Sequence, residues 1–302
     1  MSVDSKPGDP GHLSPAVRRA AGRSRWRASM RRATSSPIGL SGAILGLVIV
    51  VLCFVGPMLH QTNQTDVDML NAFLPPSGEH LLGTDGQGFD VLGRLMRGGQ
   101  VSLQIGLFAA LVATVIGTLY GAISGLSGGV VDSIMMRFVD VMMSIPFLFI
   151  VLIVSTKFNP SVLSLSITLG LFSWLIPARL VRAEVLTLRS RDYVLAARSM
   201  GASGQRLVVT HLVPNALGVV VVNITFQVAD AILAVATLGF LGFGLSYPDT
   251  DWGGQLSSGV SYLLSGYWWL VYPVGLCLVA VVLAFNLLGE ALRDALDRRR
   301  TN

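Results

Sequence analysis

The chain has 302 residues, of which 52% are hydrophobic and only 13% are charged, and its formal net charge is +5. This composition excludes an ordinary water-soluble globular protein and indicates an integral membrane protein. The positive charge does not indicate nucleic-acid binding, because the basic residues flank apolar segments, where anionic lipid and membrane topology account for them.

Six apolar segments are long enough to cross about 30 Å of hydrocarbon as helices. A β-barrel would show shorter segments with alternating polarity, and the sequence lacks that pattern. We therefore predict an all-α, polytopic membrane protein with six transmembrane helices. The predicted spans lie near residues 38–59, 101–124, 138–156, 162–180, 216–239 and 267–288.

The lysines and arginines predict the orientation of these spans. All of the 22 basic residues except Arg94, Arg97 and Lys157 fall on one side of the spans. An excess of positive charge marks the cytoplasmic side, so both termini are predicted to be cytoplasmic. The predicted divisions are a basic tail over 1–36, a six-helix membrane domain over 37–292 with external loops at 60–100 and 241–266 and a cytoplasmic loop at 181–215, and a cytoplasmic tail over 293–302. The first tail is either simply solvated or contains a short helix at the headgroup level.

The first external loop contains a glycine-rich run from Gly83 to Gly88. It is not a phosphate-binding loop, because no strand precedes it and no Gly-Lys-Ser/Thr follows. Asp85 and Asp90 match an EF-hand loop only at its first ligand, so we predict no calcium site. The histidines are scattered and no nucleophile motif is visible, so neither a metal site nor catalysis is predicted.

The second predicted span carries Gly117, Gly121 and Gly125 at four-residue spacing. One face of this helix is therefore almost bare backbone, against which another helix can pack closely. We predict that this face is buried in protein.

Two prolines and one ion pair are predicted to shape the next two spans. Pro146 and Pro177 each remove a helical hydrogen bond, so we expect them to bend or end the third and fourth spans. Asp140 follows Arg137 by three residues, and this spacing predicts a local ion pair.

The cytoplasmic loop has a helical pattern. Tyr193, Ala196, Ala197 and Met200 fall at i, i+3, i+4 and i+7, which gives one small, apolar helix face. Such a face can enter a groove on another protein, and Gly201 can supply the left-handed residue that ends the helix. The loop is interpreted either as a docking segment or as an ordinary polar connector.

The fifth span carries one polar stripe. Asn223, Gln227 and Asp230 occur at i, i+4 and i+7 on an otherwise apolar helix. A carboxylate at that depth costs about 2.5–3.5 kcal/mol unless water or a partner receives it. The stripe either lines an aqueous passage or forms a buried interhelical hydrogen-bond cluster.

The second external loop is acidic and aromatic. Its Tyr247, Asp249, Asp251, Trp252 and Tyr262 indicate either a surface for an external partner or an interfacial aromatic belt.

The spacing of Ala196, Ala197, Gly201 and Pro214 resembles the loop by which the membrane subunits of ABC importers hold their ATPases. Leu195 stands where the general pattern has glutamate, and the ending from His211 to Asn215 resembles the peptide-transporter branch. Further matches extend over residues 38–300. They include Pro75 to Asp85, Asp90 to Arg94, Gly128 to Asp132, Arg137 to Asp140, Ile145-Pro146, Arg179 to Arg182, Phe240 to Gly244, Trp252-Gly253 and Asn286 to Asp297.

These segments are similar to the second, C-type permease subunit of bacterial dipeptide and oligopeptide ABC importers. The resemblance implies a type I ABC importer permease fold, a bacterial plasma-membrane location and ATP-driven peptide import. It implies a homologous second permease, two cytoplasmic ATPase domains and an extracytoplasmic peptide-binding protein as partners, besides membrane lipid. ATP and Mg are expected in the ATPase subunits, and no cofactor is expected in this chain. The implied coupling residues are Tyr193, Leu195, Ala196, Ala197, Met200, Gly201, His211 and Pro214.

Two positions depart from the family pattern. Phe89 stands where arginine is common, and Val235 stands where an intramembrane glutamate is found. Peptide, heme, nickel or another cargo of the family stays open at this point. An ion-gradient-driven secondary transporter is the alternative, although we find no internal repeat of the kind that such carriers contain. A membrane scaffold or receptor is a further alternative, for which the polar stripe would be unnecessary.

Overall fold

The computed structural model describes residues 36–62, 64, 66–157, 159–201 and 213–297. Within these ranges every extended regular element is a helix, and the β pairing is confined to one isolated bridge between Thr84 and Asp90. The all-α class is therefore confirmed. The α-helices are α1 Pro37–Phe54, α2 Gly56–Leu59, α3 Val91–Ser127, α4 Gly129–Ser144, α5 Phe147–Ser155, α6 Val162–Ser173, α7 Leu175–Arg189, α8 Asp192–Ser199, α9 Val213–Phe240, α10 Trp252–Val260 and α11 Tyr272–Asp297. Short 3-10 turns cover Met69–Asn71, Leu263–Ser265 and Trp268–Leu270.

Length and composition allow six membrane crossings. Within the described ranges, four helical stretches are individually long and apolar enough, and two bent pairs, α4 with α5 and α6 with α7, supply two more if each pair is one span. Helix α3 begins well before the predicted second span, because the Asp90 carboxylate accepts a 2.8 Å hydrogen bond from the Gly93 N–H and caps the helix. The last part of the predicted 60–100 loop is therefore helical.

Both predicted bends are present, one beside Pro146 and one within a helical turn before Pro177. Helices α4 and α5 meet at 75° across Ile145 and Pro146, as predicted. Helices α6 and α7 meet at 44°, and the break is at Trp174, ahead of Pro177. Pro177 lies in the first turn of α7, where a missing N–H is tolerated, so the helix continues to Arg189 rather than ending near residue 180.

The glycine face of α3 is buried against α7, as predicted. Gly117, Gly121 and Gly125 are all buried, and a Cβ atom on Gly121 would lie 2.3 Å from the Ala178 carbonyl oxygen. Backbone of one helix thus meets backbone of the other, as a row of small residues allows. Helix α3 also packs against α6, α9 and α1, so it forms the centre of the molecule.

The predicted local ion pair of Asp140 was wrong. The Asp140 carboxylate binds the Arg179 guanidinium on α7 instead of Arg137 on its own helix. Packing of α4 against α7 supplies a partner that the i, i+3 spacing rule does not consider.

Two residues of the second external loop are interior residues rather than surface or belt residues. Trp252 is fully buried and its indole N–H donates a 2.9 Å hydrogen bond to the Leu95 carbonyl. The buried carboxylate of Asp251 accepts hydrogen bonds from the backbone N–H groups of Leu245 and Gly254 at 3.0 and 2.9 Å. Burial raises the pKa of Asp251, and the backbone N–H donors act in the opposite direction without cancelling it.

Candidate functional site

A short helix follows α7 after a tight turn, where the sequence predicts one. Helix α8 covers Asp192–Ser199, and the Met200 N–H continues its pattern with a 3.0 Å hydrogen bond to the Ala196 carbonyl. Gly201 has a φ of +82°, the left-handed conformation predicted for the residue that ends this helix. A Cβ atom on Gly201 would have no neighbour within 4 Å, so the backbone conformation alone favours glycine here.

Helix α8 is anchored by one side chain and exposes others. Val194 is only 3% exposed and belongs to a buried apolar cluster. The cluster joins Ala122 of α3, Val181, Val185 and Leu188 of α7, Val194 of α8 and Ala216 of α9. Ala196 is exposed and Met200 is 82% exposed. The exposed side of α8 and the residue after it thus carry small or flexible side chains. The opposite side of α8 contacts α3, α7 and α9 through Val194.

The remaining predicted coupling residues are placed to different extents. Tyr193, Leu195 and Ala197 lie in α8, but their side chains are outside the part of the chain that the structure describes, and His211 is outside it entirely. Pro214 is the second residue of α9 as described. Their coupling role stays a prediction.

An ion pair braces the helix that leads into α8. The Arg182 guanidinium of α7 donates two 2.6 Å hydrogen bonds to the Asp132 carboxylate of α4, and the Ser124 hydroxyl of α3 donates to the same carboxylate. Arg189, at the end of α7, donates a 3.1 Å hydrogen bond to the Gly125 carbonyl. Arg182 and Asp132 lie in segments that carry the family resemblance, yet their sequence separation gave no signal of this contact.

The three residues of the polar stripe lie in different environments. Gln227 is 5% exposed, and its amide nitrogen donates a 2.7 Å hydrogen bond to the Ser173 carbonyl at the end of α6. Asn223 is half-buried, and its side-chain oxygen has no hydrogen-bond partner among the described residues. Asp230 is exposed on the surface of the chain, in line with Leu233 and Phe240. The stripe thus runs from an interhelical contact to an open face.

A cavity of about 510 Å³ lies between the two external loops. Its lining includes Asp85, Arg94, Tyr247, Asp249 and Tyr262. The Arg94 Nε lies 3.7 Å from an Asp85 carboxylate oxygen, and the cavity therefore presents both signs of charge beside two phenol rings. Its volume is in the range of sites that hold small organic molecules or an inserted side chain.

Both departures from the family pattern are accommodated inside the protein. Phe89 is fully buried, and the guanidinium carbon of Arg94 lies 4.7 Å from its ring centroid. Val235 is fully buried in an apolar cluster with Ile105 and Leu238. The position where the family pattern has a glutamate therefore belongs to the apolar interior of this chain.

Comparison with known proteins identifies relatives over nearly the whole length. Residues 117–302 match the family described as binding-protein-dependent transport system inner membrane component, and residues 24–76 match the N-terminal TM domain of oligopeptide transport permease C. The oligopeptide transport system permease protein OppC of Escherichia coli K12 is 41% identical over 91% of this chain and 92% of its own length. The dipeptide transport system permease protein DppC of Bacillus subtilis 168 is 35% identical over 88% of this chain and 83% of its own.

Proposed function

The chain belongs to the binding-protein-dependent transport system inner membrane components, in their dipeptide and oligopeptide permease branch, and we propose that it forms half of a peptide pathway driven through α8 by separate ATPases. It is a multi-pass permease subunit of an ABC transporter rather than an enzyme. Membership of this family excludes the alternative of an ion-gradient-driven secondary transporter.

The observation that carries the proposed coupling is the two-sided character of α8. Ala196 and Met200 are exposed, and a small side chain allows close approach of a partner, whereas Val194 is buried among three helices. A force applied to the outer side of α8 is thus received by α3, α7 and α9 together. An ordinary connector would not require this combination of exposure and anchoring.

The packing beneath α8 supports transmission to the bundle. Close backbone contact between α3 and α7 at Gly121 and the Arg182–Asp132 ion pair make α3, α4 and α7 move together. ATP binding in the partner subunits draws their docking grooves together and shifts α8, and the bundle exchanges an inward-facing for an outward-facing arrangement. Hydrolysis resets it. ATP and Mg are bound by those subunits, and this chain holds no cofactor.

Exposure of Asp230 supports a place for it beside the passage. A carboxylate on the lipid-facing side of a span is unfavourable, so the face that carries it meets either a second, homologous permease or water. In the passage the carboxylate accepts hydrogen bonds from the amino terminus or backbone amides of a peptide. Asn223, with its unpartnered oxygen, lies on the same side of α9 by its spacing.

The external cavity supports contact with an extracytoplasmic peptide-binding protein. Its charged and aromatic lining, which includes Asp249 and Tyr262, suits an inserted loop of such a partner. This arrangement requires both termini in the cytoplasm, as the basic residues predict, and a bacterial plasma membrane as the location.

Purification from the native membrane in mild detergent, followed by reconstitution into liposomes, tests the proposed function. We expect a second permease and two ATPase domains to copurify, and we expect labelled di- or oligopeptides to enter the vesicles only with ATP and the binding protein. Uptake on a proton gradient without ATPases contradicts the coupling. ATP-driven uptake of nickel or heme without peptide uptake contradicts the proposed peptide substrate but not the role of the chain as a permease subunit.

A further inference from the structure

The carbonyl of Ser173 lacks its regular helical donor because of Pro177. Helix α6 ends at Ser173, and α7 continues at an angle of 44°. In a continuous helix the N–H of residue 177 would bind the carbonyl of residue 173, but proline has no N–H. The regular pattern resumes one residue later, where the Ala178 N–H donates to the Trp174 carbonyl at 3.0 Å.

Gln227 supplies the missing donor from another helix. Its amide nitrogen lies 2.7 Å from the Ser173 carbonyl oxygen, and the side chain is 5% exposed. The contact is partly buried, and a carbonyl that is shielded from water without a partner is unfavourable, so this bond stabilises the joint between α6 and α7. It also fixes α9 to that joint.

A second proline in the chain shows the same arrangement. Pro57 leaves the Cys53 carbonyl without its helical donor, and the Gln100 amide nitrogen of α3 lies 2.7 Å from that oxygen. This contact joins α3 to the end of α1, away from α8. Among the residues that the structure describes, two glutamines each bind a carbonyl released by a proline, one on the path from α8 and one outside it.

The joint at Ser173 lies between the helix that receives the motor and the helix that carries Asp230. Helix α7 leads directly into α8, and Asp230 follows Gln227 by about one helical turn on α9. Helix α3 closes the joint from a third side, since a Cβ atom on Gly117 would lie 2.8 Å from the Trp174 carbonyl oxygen. Movement of α7 is thus able to reach α9 at this depth through the Gln227 hydrogen bond, in addition to the apolar contact at Ala216 near the start of α9.

We propose that Gln227 is a positioning residue, whose amide ties α9 to the α6–α7 joint so that displacement of α8 moves the helix that carries Asp230. This inference rests on the proposed function, because it assumes that ATPases move α8. Gln227 does not touch the peptide in this account. It determines how much of each ATP-driven movement reaches the passage.

The test uses the whole reconstituted importer and counts peptides imported per ATP hydrolysed. Gln227→Leu keeps the side-chain size and removes the donor, and we expect the ratio to fall between about twofold and tenfold, the range implied by the net contribution of one hydrogen bond. Pro177→Ala restores an N–H to the joint, so the double variant Gln227→Leu with Pro177→Ala should recover part of the ratio. Gln100→Leu removes the equivalent bond at Cys53 and should lower thermal stability while leaving the ratio at the wild-type value.

The outcomes separate a positioning role from a structural one. An unchanged ratio in Gln227→Leu overturns the inference, as does an equal fall in Gln100→Leu. Transport that falls only in proportion to assembled complex, with no recovery in the double variant, also overturns it. A wild-type complex that imports no peptide with ATP contradicts the proposed function and removes the basis of this inference, whereas wild-type import with an unchanged variant ratio defeats the inference alone.

Discussion

Arg182 and Asp132 form a two-point ion pair that fastens α4 to α7. Both hydrogen bonds measure 2.6 Å, and the Ser124 hydroxyl binds the same carboxylate from α3. Parallel N–H donors match the two oxygens of a carboxylate, so this contact sets both the distance and the orientation of the helices. It lies on the helix that continues into the proposed docking segment.

Removal of this carboxylate charge should destabilise the bundle. We expect Asp132→Asn to lower the free energy of unfolding by about 1–3 kcal/mol, because the Arg182 guanidinium loses its charged partner in a largely buried place. Asp140→Asn is the matched control, since the Asp140–Arg179 pair joins the same two helices but is about half exposed, and its loss should cost less than about 1 kcal/mol. Thermal unfolding of the purified complex gives both values. Equal losses of unfolding free energy for the two variants would contradict a larger contribution from the buried pair than from the exposed one.

A methyl group on the glycine face of α3 should separate α3 from α7. A Cβ atom on Gly121 would lie 2.3 Å from the Ala178 carbonyl oxygen, so Gly121→Ala requires a backbone shift and should cost about 1–3 kcal/mol. Gly275→Ala is the control, because a Cβ atom there meets nothing within 4 Å and alanine is the better helix former. Thermal unfolding should show a loss for Gly121→Ala and no loss for Gly275→Ala. A stable Gly121→Ala variant contradicts the close packing.

The pH dependence of stability should carry a contribution from Asp251. Burial raises its pKa in the folded state, so the folded chain holds this proton more tightly than the unfolded chain does. The resulting stabilisation is complete below the unfolded pKa of about 3.9 and is lost as the pH rises through the raised folded pKa. The unfolding free energy of the wild type, relative to that of Asp251→Asn, should therefore fall as the pH rises across that window and stay constant above it.

Unfolding measured in steps from about pH 4 to pH 8 checks the sign, since the window begins near the unfolded pKa. A shift in favour of the wild type with rising pH would mean that the N–H donors of Leu245 and Gly254 outweigh burial.

Charge at Asp230 should matter for uptake and not for assembly. Asp230→Ala should reduce ATP-driven peptide uptake by about tenfold to a hundredfold, the effect of losing one hydrogen bond to a charged group. Leu233→Ala alters the same exposed face one turn away without a change of charge, and we expect a much smaller effect. Uptake by reconstituted complexes of equal composition measures both. Wild-type uptake in Asp230→Ala would place this carboxylate outside the passage.

Composition and local spacing predict much of the fold. Apolar segments predict the membrane class, Pro146 predicts a bend, and the glycines from Gly117 to Gly125 predict a buried helix face. The structure confirms all three. Each of these follows from a short stretch of chain, because lipid requires helices and because a proline or a row of glycines acts on its own helix.

The long-range contacts could not be predicted in this way. Asp140 binds Arg179 rather than the nearby Arg137, and Gln227 binds the Ser173 carbonyl at the break, to which Pro177 has no N–H to donate. Trp252 looked like a surface or belt residue but fills the interior, since its indole N–H reaches Leu95 across the fold. These partners depend on how the helices pack against one another, which the residue spacing along a single helix does not determine.

The docking role of α8 is tested most directly by crosslinking at its exposed alanine. A compact photoreactive residue at position 196, small enough to leave ATP-driven uptake intact, should crosslink to an ATP-hydrolysing subunit in the assembled importer, whereas the same residue at the fully exposed Leu264 in the external loop should not. Bulk at position 196 should also abolish ATP-driven uptake, because a large side chain does not fit the groove. We therefore expect a crosslinked product with the ATPase from position 196 and none from position 264. Intact complexes with no such product, and with uptake unaffected by Ala196→Trp, would contradict it.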